Sequence, residues 1–192
     1  MLNFFILTSI GMFFMLFSGL LLIQICNRNK IAVCSVYFLF YSTMADHEHY
    51  MRIALEEAER AVAEGNTAVG SILIRAERIV ARGRNLVTST SDPTAHAETV
   101  ALRHAGKQLG HTDFSKSTLY TTFEPCPMCC GAILASGVHT LVMGARHDLA
   151  QSRWGAYTVE KLLELTNRAD QLIVITGVLP EACANVRKLE TI

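Results

Sequence analysis

Two short segments carry residue types that can do chemistry together: His96-Ala97-Glu98 and Pro125-Cys126-Pro127-Met128-Cys129. One imidazole and two thiolates supply three ligands for zinc. Three protein ligands leave the fourth position of a tetrahedral ion open for water, the arrangement of catalytic rather than structural zinc. The spacing of Cys126 and Cys129 lets one helical turn present both sulfurs to one ion, and the positive end of that helix, with the metal, favours the thiolate form. Glu98 stands two residues beyond His96, in the first turn of the same expected helix. From there its carboxylate can lie beside the water, take a proton from it and deliver that proton elsewhere. Zinc lowers the pKa of such a water toward about 7. Attack of water on an amidine-like ring carbon, with loss of ammonia, would use all four residues. A closed zinc clip completed by His104 or Cys130 is the alternative, and it leaves Glu98 without a task.

This chemistry requires helices that begin at the two segments, and the flanking pattern supplies them. His96 to Gln108 has Val100, Leu102 and Ala105 as apolar members, with Gly110 beyond its end. Pro127 opens a second helix through MCCGAILASG, closed by Gly137. Thr118–Phe123 (TLYTTF) reads as the strand that leads into Pro125. Upstream, Asp46 to Glu64 reads as an amphipathic helix with Met51, Leu55, Ala58 and Val62 at three- and four-residue steps, Asp46 as N-cap and Gly65-Asn66 as stop. Val69 to Arg75 and a run near Ile79–Gly83 suggest a hairpin, and Asn85 to Thr94 a polar loop. Downstream come the strand HTLVMGA, a helix from about Ala156 to Asn167, the strand QLIVITG and a short helix from Glu181 to Leu189. This order predicts an α/β layered domain around one sheet, its last two strands parallel if they are neighbours, because a helix between them is long enough to cross over.

Composition narrows the class. Residues 1–43 hold two charges, Arg28 and Lys30; taking these from the 17 basic residues leaves 15 against 17 acidic ones in residues 44–192, a net of about −2. Such a balance supplies no strong overall field for nucleic acid. Three of the six cysteines fall between Cys126 and Cys130, which reads as a metal site in a reducing compartment, the cytoplasm, rather than a disulfide framework. Phe4 to Ile25 is 22 uncharged, mostly apolar residues, and about 20 suffice to span a bilayer as a helix. Residues 1–43 are therefore either a membrane anchor, with Arg28 and Lys30 keeping the downstream domain in the cytoplasm, or a mis-called start ahead of a domain that begins at Met44.

DPTAHAE (Asp92 to Glu98) and LYTTFEPCPMCCGAIL (Leu119 to Leu134) closely resemble the cytosine, guanine and tRNA-adenosine deaminase branch of the cytidine and deoxycytidylate deaminase superfamily; H-x-E with a distant P-C-x-x-C is a signature of zinc deaminases. The resemblance covers roughly Met51 to Val186. It implies a three-layer α/β/α cytidine-deaminase-like fold with a five-stranded mixed sheet, zinc between the two helix starts, and a homodimer or higher oligomer. It implies His96, Cys126 and Cys129 as zinc ligands, Glu98 as proton shuttle, and Asn85 and the backbone amide of Ala97 as contacts to the base. The plainer readings of the last two are a turn and helix packing. Cys130 and Cys183 read as core, and His104 as a surface or packing residue. Trp154 and Tyr157 either stack on a substrate or pack under the next helix, and Glu124 offers its carbonyl. AVGSILI and GARH (Gly144 to His147) resemble tRNA adenosine deaminases. EPCPMC, the acidic balance and RWGAYTVEKLLEL (Arg153 to Leu165) resemble small-molecule deaminases, and the terminal helix offers only Arg187 and Lys188. The expectation is a zinc-dependent hydrolase of cyclic-amidine C–N bonds acting on a cytosine- or guanine-type base or nucleoside. The alternatives are a tRNA adenosine-to-inosine deaminase of the wobble position and an inactive zinc-binding protein.

Overall fold

The computed structural model describes the chain except residues 1–5, 8–11, 18–19, 28–29, 34, 151 and 192, and describes side chains over 46–189 apart from 151. Two compact units divide it, Met1–Asp46 and His47–Ile192. In the first, β1 (Ile6–Leu7), β2 (Met12–Phe17), β3 (Leu20–Asn27) and β4 (Lys30–Val33) form an antiparallel sheet in sequence order. The anchor helix expected over 4–25 falls partly outside the described residues, and the parts described are strands. Among the described residues no helix is long and apolar enough to cross a membrane.

Helix α1 (Ser35–Ala63) starts earlier than the expected Asp46 and leads into the second unit. There β5 (Gly70–Arg75) and β6 (Arg78–Arg84) form the expected hairpin. Ala76 and Glu77 join them with positive φ of 48° and 60°, the backbone whose twist matches paired strands. The loop 85–94 is not wholly irregular: it holds a one-turn helix, α2 (Val87–Thr90). Next come α3 (Ala97–Leu109), β7 (Ser117–Phe123), α4 (Pro127–Ala135), β8 (Thr140–Ala145), α5 (Val159–Leu165), β9 (Ile173–Ile175) and α6 (Pro180–Arg187), which ends in a 3-10 turn, Lys188–Thr191. Helix α5 is shorter than expected because the chain from Ala156 to Thr158 stays extended or turned and Thr158 caps it, accepting a hydrogen bond from Lys161 N.

The second unit's sheet has five strands in the order β6-β5-β7-β8-β9. β5 runs antiparallel to both β6 and β7, whereas β7, β8 and β9 are parallel. The sheet is mixed, and the last two strands pair in parallel as the crossover helix requires. Alternation along each strand sends successive side chains to opposite faces. Leu73, Leu119 and Leu141 pack with Ala101, Ala105, Ile133 and Leu163 of α3, α4 and α5. Ile72, Tyr120 and Val142 pack with Met51 and Ala54 of α1 and Cys183 of α6. The result is an α/β/α sandwich of three layers. Gly83 admits α3 close to β6: a Cβ there would overlap the backbone of Ala97 and Ala101, so the start of α3 is pressed directly onto the sheet.

Candidate active site

The starts of α3 and α4 converge. His96 and Cys126 each occupy the N-cap, with extended backbone (φ/ψ −69°/157° and −67°/169°), and neither side chain caps its own helix. Both are thereby free to turn toward one another. Local chemistry sets each approach. Asp92 Oδ1 accepts from the backbone N and the hydroxyl of Thr94 (2.8 and 2.6 Å). Thr99 Oγ1 donates back to Thr94 O and lies 2.9 Å from His96 O. This Asp-Pro-Thr turn delivers His96 at a fixed angle. On the other side, Pro127 opens α4 at a position where a missing N–H costs nothing.

The ligand atoms of His96, Cys126 and Cys129 lie within 4.8 Å of one another. Cys126 Sγ is 3.6 Å from His96 Nδ1 and 3.6 Å from Cys129 Sγ. Zinc bonds of about 2.3 Å to sulfur and 2.0 Å to nitrogen, at a tetrahedral angle, separate two sulfurs by roughly 3.8 Å and sulfur from nitrogen by roughly 3.5 Å. The donor set thus fits zinc in type and spacing. Neither candidate for a fourth protein ligand joins it. Cys130 is wholly buried in the core, and burial raises its thiol to about 11. His104 is exposed, with its Nδ1 2.8 Å from Arg82 O. Cys183 also lies in the core, its thiol pushed up to about 12 by burial.

Glu98, one residue into α3, is 3% exposed. Burial raises its carboxyl above the usual range. The Cys126 thiol is held down to about 4 by hydrogen bonding with Cys129 and with His96, while the same bond to Cys126 pushes the Cys129 thiol up, so the pair shares one proton.

His96, Glu98 and Cys126 line a cavity of about 440 Å³, within the range that takes a nucleoside. Asn85 and Ala97 are among the residues that line it. Asn85 Oδ1 accepts from Val87 N at 3.1 Å, so the amide oxygen serves the turn and the NH2 end remains for a ligand. Ala97 is the first helical residue of α3, where the backbone N–H lacks an intrahelical acceptor. The alternatives for Trp154 and Tyr157 separate. Trp154 lines the cavity, while Tyr157 packs on the core and donates its hydroxyl to Pro125 O at 2.9 Å.

Sequence spacing gave no sign of other wall residues. Phe123, His147, Arg153 and Arg187 also line the cavity. His147 meets Phe123 edge-on at 4.8 Å, and the guanidinium of Arg187 lies 4.8 Å from the same ring centroid. Arg153 lies 4.8 Å from the Trp154 ring. The Glu124 side chain, whose role the sequence leaves open, is a buried tie. It accepts from Arg146 Nη2 (2.8 Å) and from the backbone N of His147 (3.2 Å) and of Val159 (3.0 Å). One carboxylate thereby joins the turn before Cys126 to the end of β8 and the start of α5.

Residues 44–145 match the cytidine and deoxycytidylate deaminase zinc-binding region. The chain belongs to the cytidine and deoxycytidylate deaminase family. As such it is a deaminase, a hydrolase acting on C–N bonds of cyclic amidines. The deaminase is 41% identical over 152 residues to a tRNA-specific adenosine deaminase of Haemophilus influenzae, covering 75% of this chain and 81% of that one. It is 39% identical over 109 residues to a guanine deaminase of Bacillus subtilis, covering 56% and 70%. A chloroplastic tRNA(adenine(34)) deaminase of Arabidopsis thaliana is 46% identical over 109 residues, 56% of this chain but 8% of that far longer protein. Among solved structures, one from work on A-to-I editing by tRNA:A34 deaminases at the wobble position superposes with a TM-score of 0.63 at 30% identity, covering 72% of the deaminase and 98% of its own chain.

Proposed function

We propose that this deaminase converts adenosine to inosine at the wobble position of tRNA, using zinc held by His96, Cys126 and Cys129. One observation carries the reaction: three ligand atoms at zinc spacing together with a buried carboxylate, of which His96, Cys126 and Glu98 line one cavity. Zinc, when bound, supplies the Lewis acidity that makes water a nucleophile near neutral pH. Glu98 takes one proton from that water and gives it to the ring nitrogen; it then takes the proton of the newly added hydroxyl as the carbonyl forms and passes it to the departing amine, which leaves as ammonia. The Asn85 amide and the Ala97 N–H orient the purine against the attacked carbon, and the walls formed by Phe123 and Trp154 keep bulk water out. The intact, buried Glu98 argues against an inactive zinc-binding protein.

For the substrate, the similarity to tRNA-specific enzymes over three quarters of the chain favours RNA over a free base. The cavity lining agrees. Arg153 and Arg187, each held over an aromatic ring, bring two positive charges to the wall, where nucleotide phosphates beside the target would be neutralised. The small-molecule expectation leaned on a net charge of about −2, but a sum over the whole domain does not report the field at one cavity. Guanine is the second reading, favoured by the 39% identity to a guanine deaminase. We also propose that the deaminase works in the cytoplasm as a homodimer, whose second copy would cover the exposed apolar side of α4 formed by Met128, Gly131 and Ala135.

Ammonia release tests the reading. An adenosine-containing anticodon stem-loop, guanine, cytosine and free adenosine are supplied in parallel to the zinc-loaded protein. Release from the stem-loop alone, weakening steeply with added salt, is the expected result. Release from guanine with a silent stem-loop would transfer the assignment to the second reading.

A further inference from the structure

We propose that Thr121 is the positioning residue for Glu98: its hydroxyl fixes one carboxylate oxygen to strand β7, leaving the other oxygen to serve the cavity. This rests on Glu98 being the proton shuttle.

Thr121 is wholly buried on β7, and its Oγ1 lies 3.1 Å from Glu98 Oε1. A hydroxyl in such a place costs stability relative to valine, which has the same shape, unless it is hydrogen-bonded. Two acceptors are in reach, since Phe123 O is also 3.1 Å away. One hydroxyl proton serves one acceptor at a time, and an ionised carboxylate is the stronger of the two. Because the same hydroxyl can also accept, the contact to Glu98 survives whichever partner carries the proton. Strand placement gives the contact its use. β7 ends at Phe123 and the chain runs directly through Glu124-Pro125 into Cys126. The element that grips the carboxylate therefore also delivers the two sulfurs, so carboxylate and metal-binding atoms share one frame. Glu98 has three rotatable side-chain bonds. Without Thr121 the buried carboxylate keeps its hydrogen bonds to its own backbone N–H and to the Cys129 thiol but loses its tie to β7, so its oxygens shift relative to the attacked carbon.

The test compares Thr121→Val, Thr121→Ala, Thr121→Ser and Glu98→Gln in the zinc-loaded full chain, with both the anticodon stem-loop and guanine as substrates. For each variant kcat, KM, zinc per chain and the melting midpoint are measured, and the Thr121→Val crystal structure is solved. Thr121→Val and Thr121→Ala should each lower kcat by about tenfold or more, the scale of a lost hydrogen bond to a charged group, with KM and zinc content held. Thr121→Ser, which keeps the hydroxyl, should stay within about threefold of the parent, and the Glu98 side chain should turn in the valine variant. Unchanged kcat in the valine and alanine variants, or a serine variant as slow as valine, overturns the proposal. Undiminished turnover in Glu98→Gln instead removes the shuttle itself. A loss in Glu98→Gln with no loss in Thr121→Val or Thr121→Ala removes only the positioning role.

Discussion

Replacing Glu124 by glutamine should destabilise the deaminase by about 3 kcal/mol, although the residue takes no part in the proposed proton transfers. The side chain is fully shielded from solvent and its two oxygens serve Arg146 and the backbone N–H groups of His147 and Val159. Glutamine keeps the shape and one acceptor oxygen, but presents an NH2 group where the second oxygen accepted bonds. One backbone N–H then faces a donor, which costs about 1–3 kcal/mol. Losing the charge weakens the Arg146 pair as well. That loss is about 0–1 kcal/mol, the scale of an exposed pair rather than a buried one, because Arg146 is 36% exposed and keeps Glu160 at 2.6 Å. Equilibrium urea unfolding of the zinc-loaded protein, with the slope checked for constancy, reads the difference directly. In a thermal scan the same loss corresponds to roughly 6–12 °C for a domain of this size. A Glu124→Gln protein within about 0.5 kcal/mol of the parent would refute the view that this carboxylate ties three chain segments together.

The same geometry sets further outcomes. Cys129→Ala should leave two ligands, bring zinc content by elemental analysis close to zero, and lower the melting midpoint in the same step; full zinc occupancy in that variant would contradict the ligand assignment. Asn85→Ala should raise KM about tenfold with a smaller effect on kcat, and an effect confined to stability would reduce Asn85 to its bond with Val87 N. His147, desolvated between Phe123 and the cavity, holds its imidazole below the ordinary value of 6.5. The unfolded chain therefore binds the extra proton first, and stability should rise with pH up to about 6.5 and level off above it. His147→Gln should flatten that limb of the unfolding free energy, and an unaltered limb counts against the assignment.

Much of the fold was legible because local signals agreed with tertiary demands. The hairpin, the strand before Pro125 and the helices opened at His96 and Pro127 all carry apolar alternation, turn residues or capping chemistry within a few positions. The zinc-spaced cluster was legible for the same reason: His96, Cys126 and Cys129 sit at or just inside helix starts, where backbone geometry rather than distant packing aims them. The features that were missed depend on contacts far apart in sequence. The turn of α2 is held by Asn66, whose Oδ1 accepts from Thr88 N and Ser89 N at 2.9 and 3.0 Å, and nothing in Val87–Thr90 itself announces a helix. Phe123, His147 and Arg187 meet at one wall from β7, the end of β8 and α6, a convergence that no spacing rule anticipates. The role of the Glu124 side chain stays open in the sequence because its partners lie 22 to 35 residues downstream.

The most direct measurement is X-ray absorption at the zinc edge of the purified protein. Two sulfurs at about 2.3 Å together with one imidazole nitrogen and one light oxygen-type ligand near 2.0 Å are the predicted shell. Three or four sulfurs, or a fully active preparation that shows no zinc edge at all, would contradict the account.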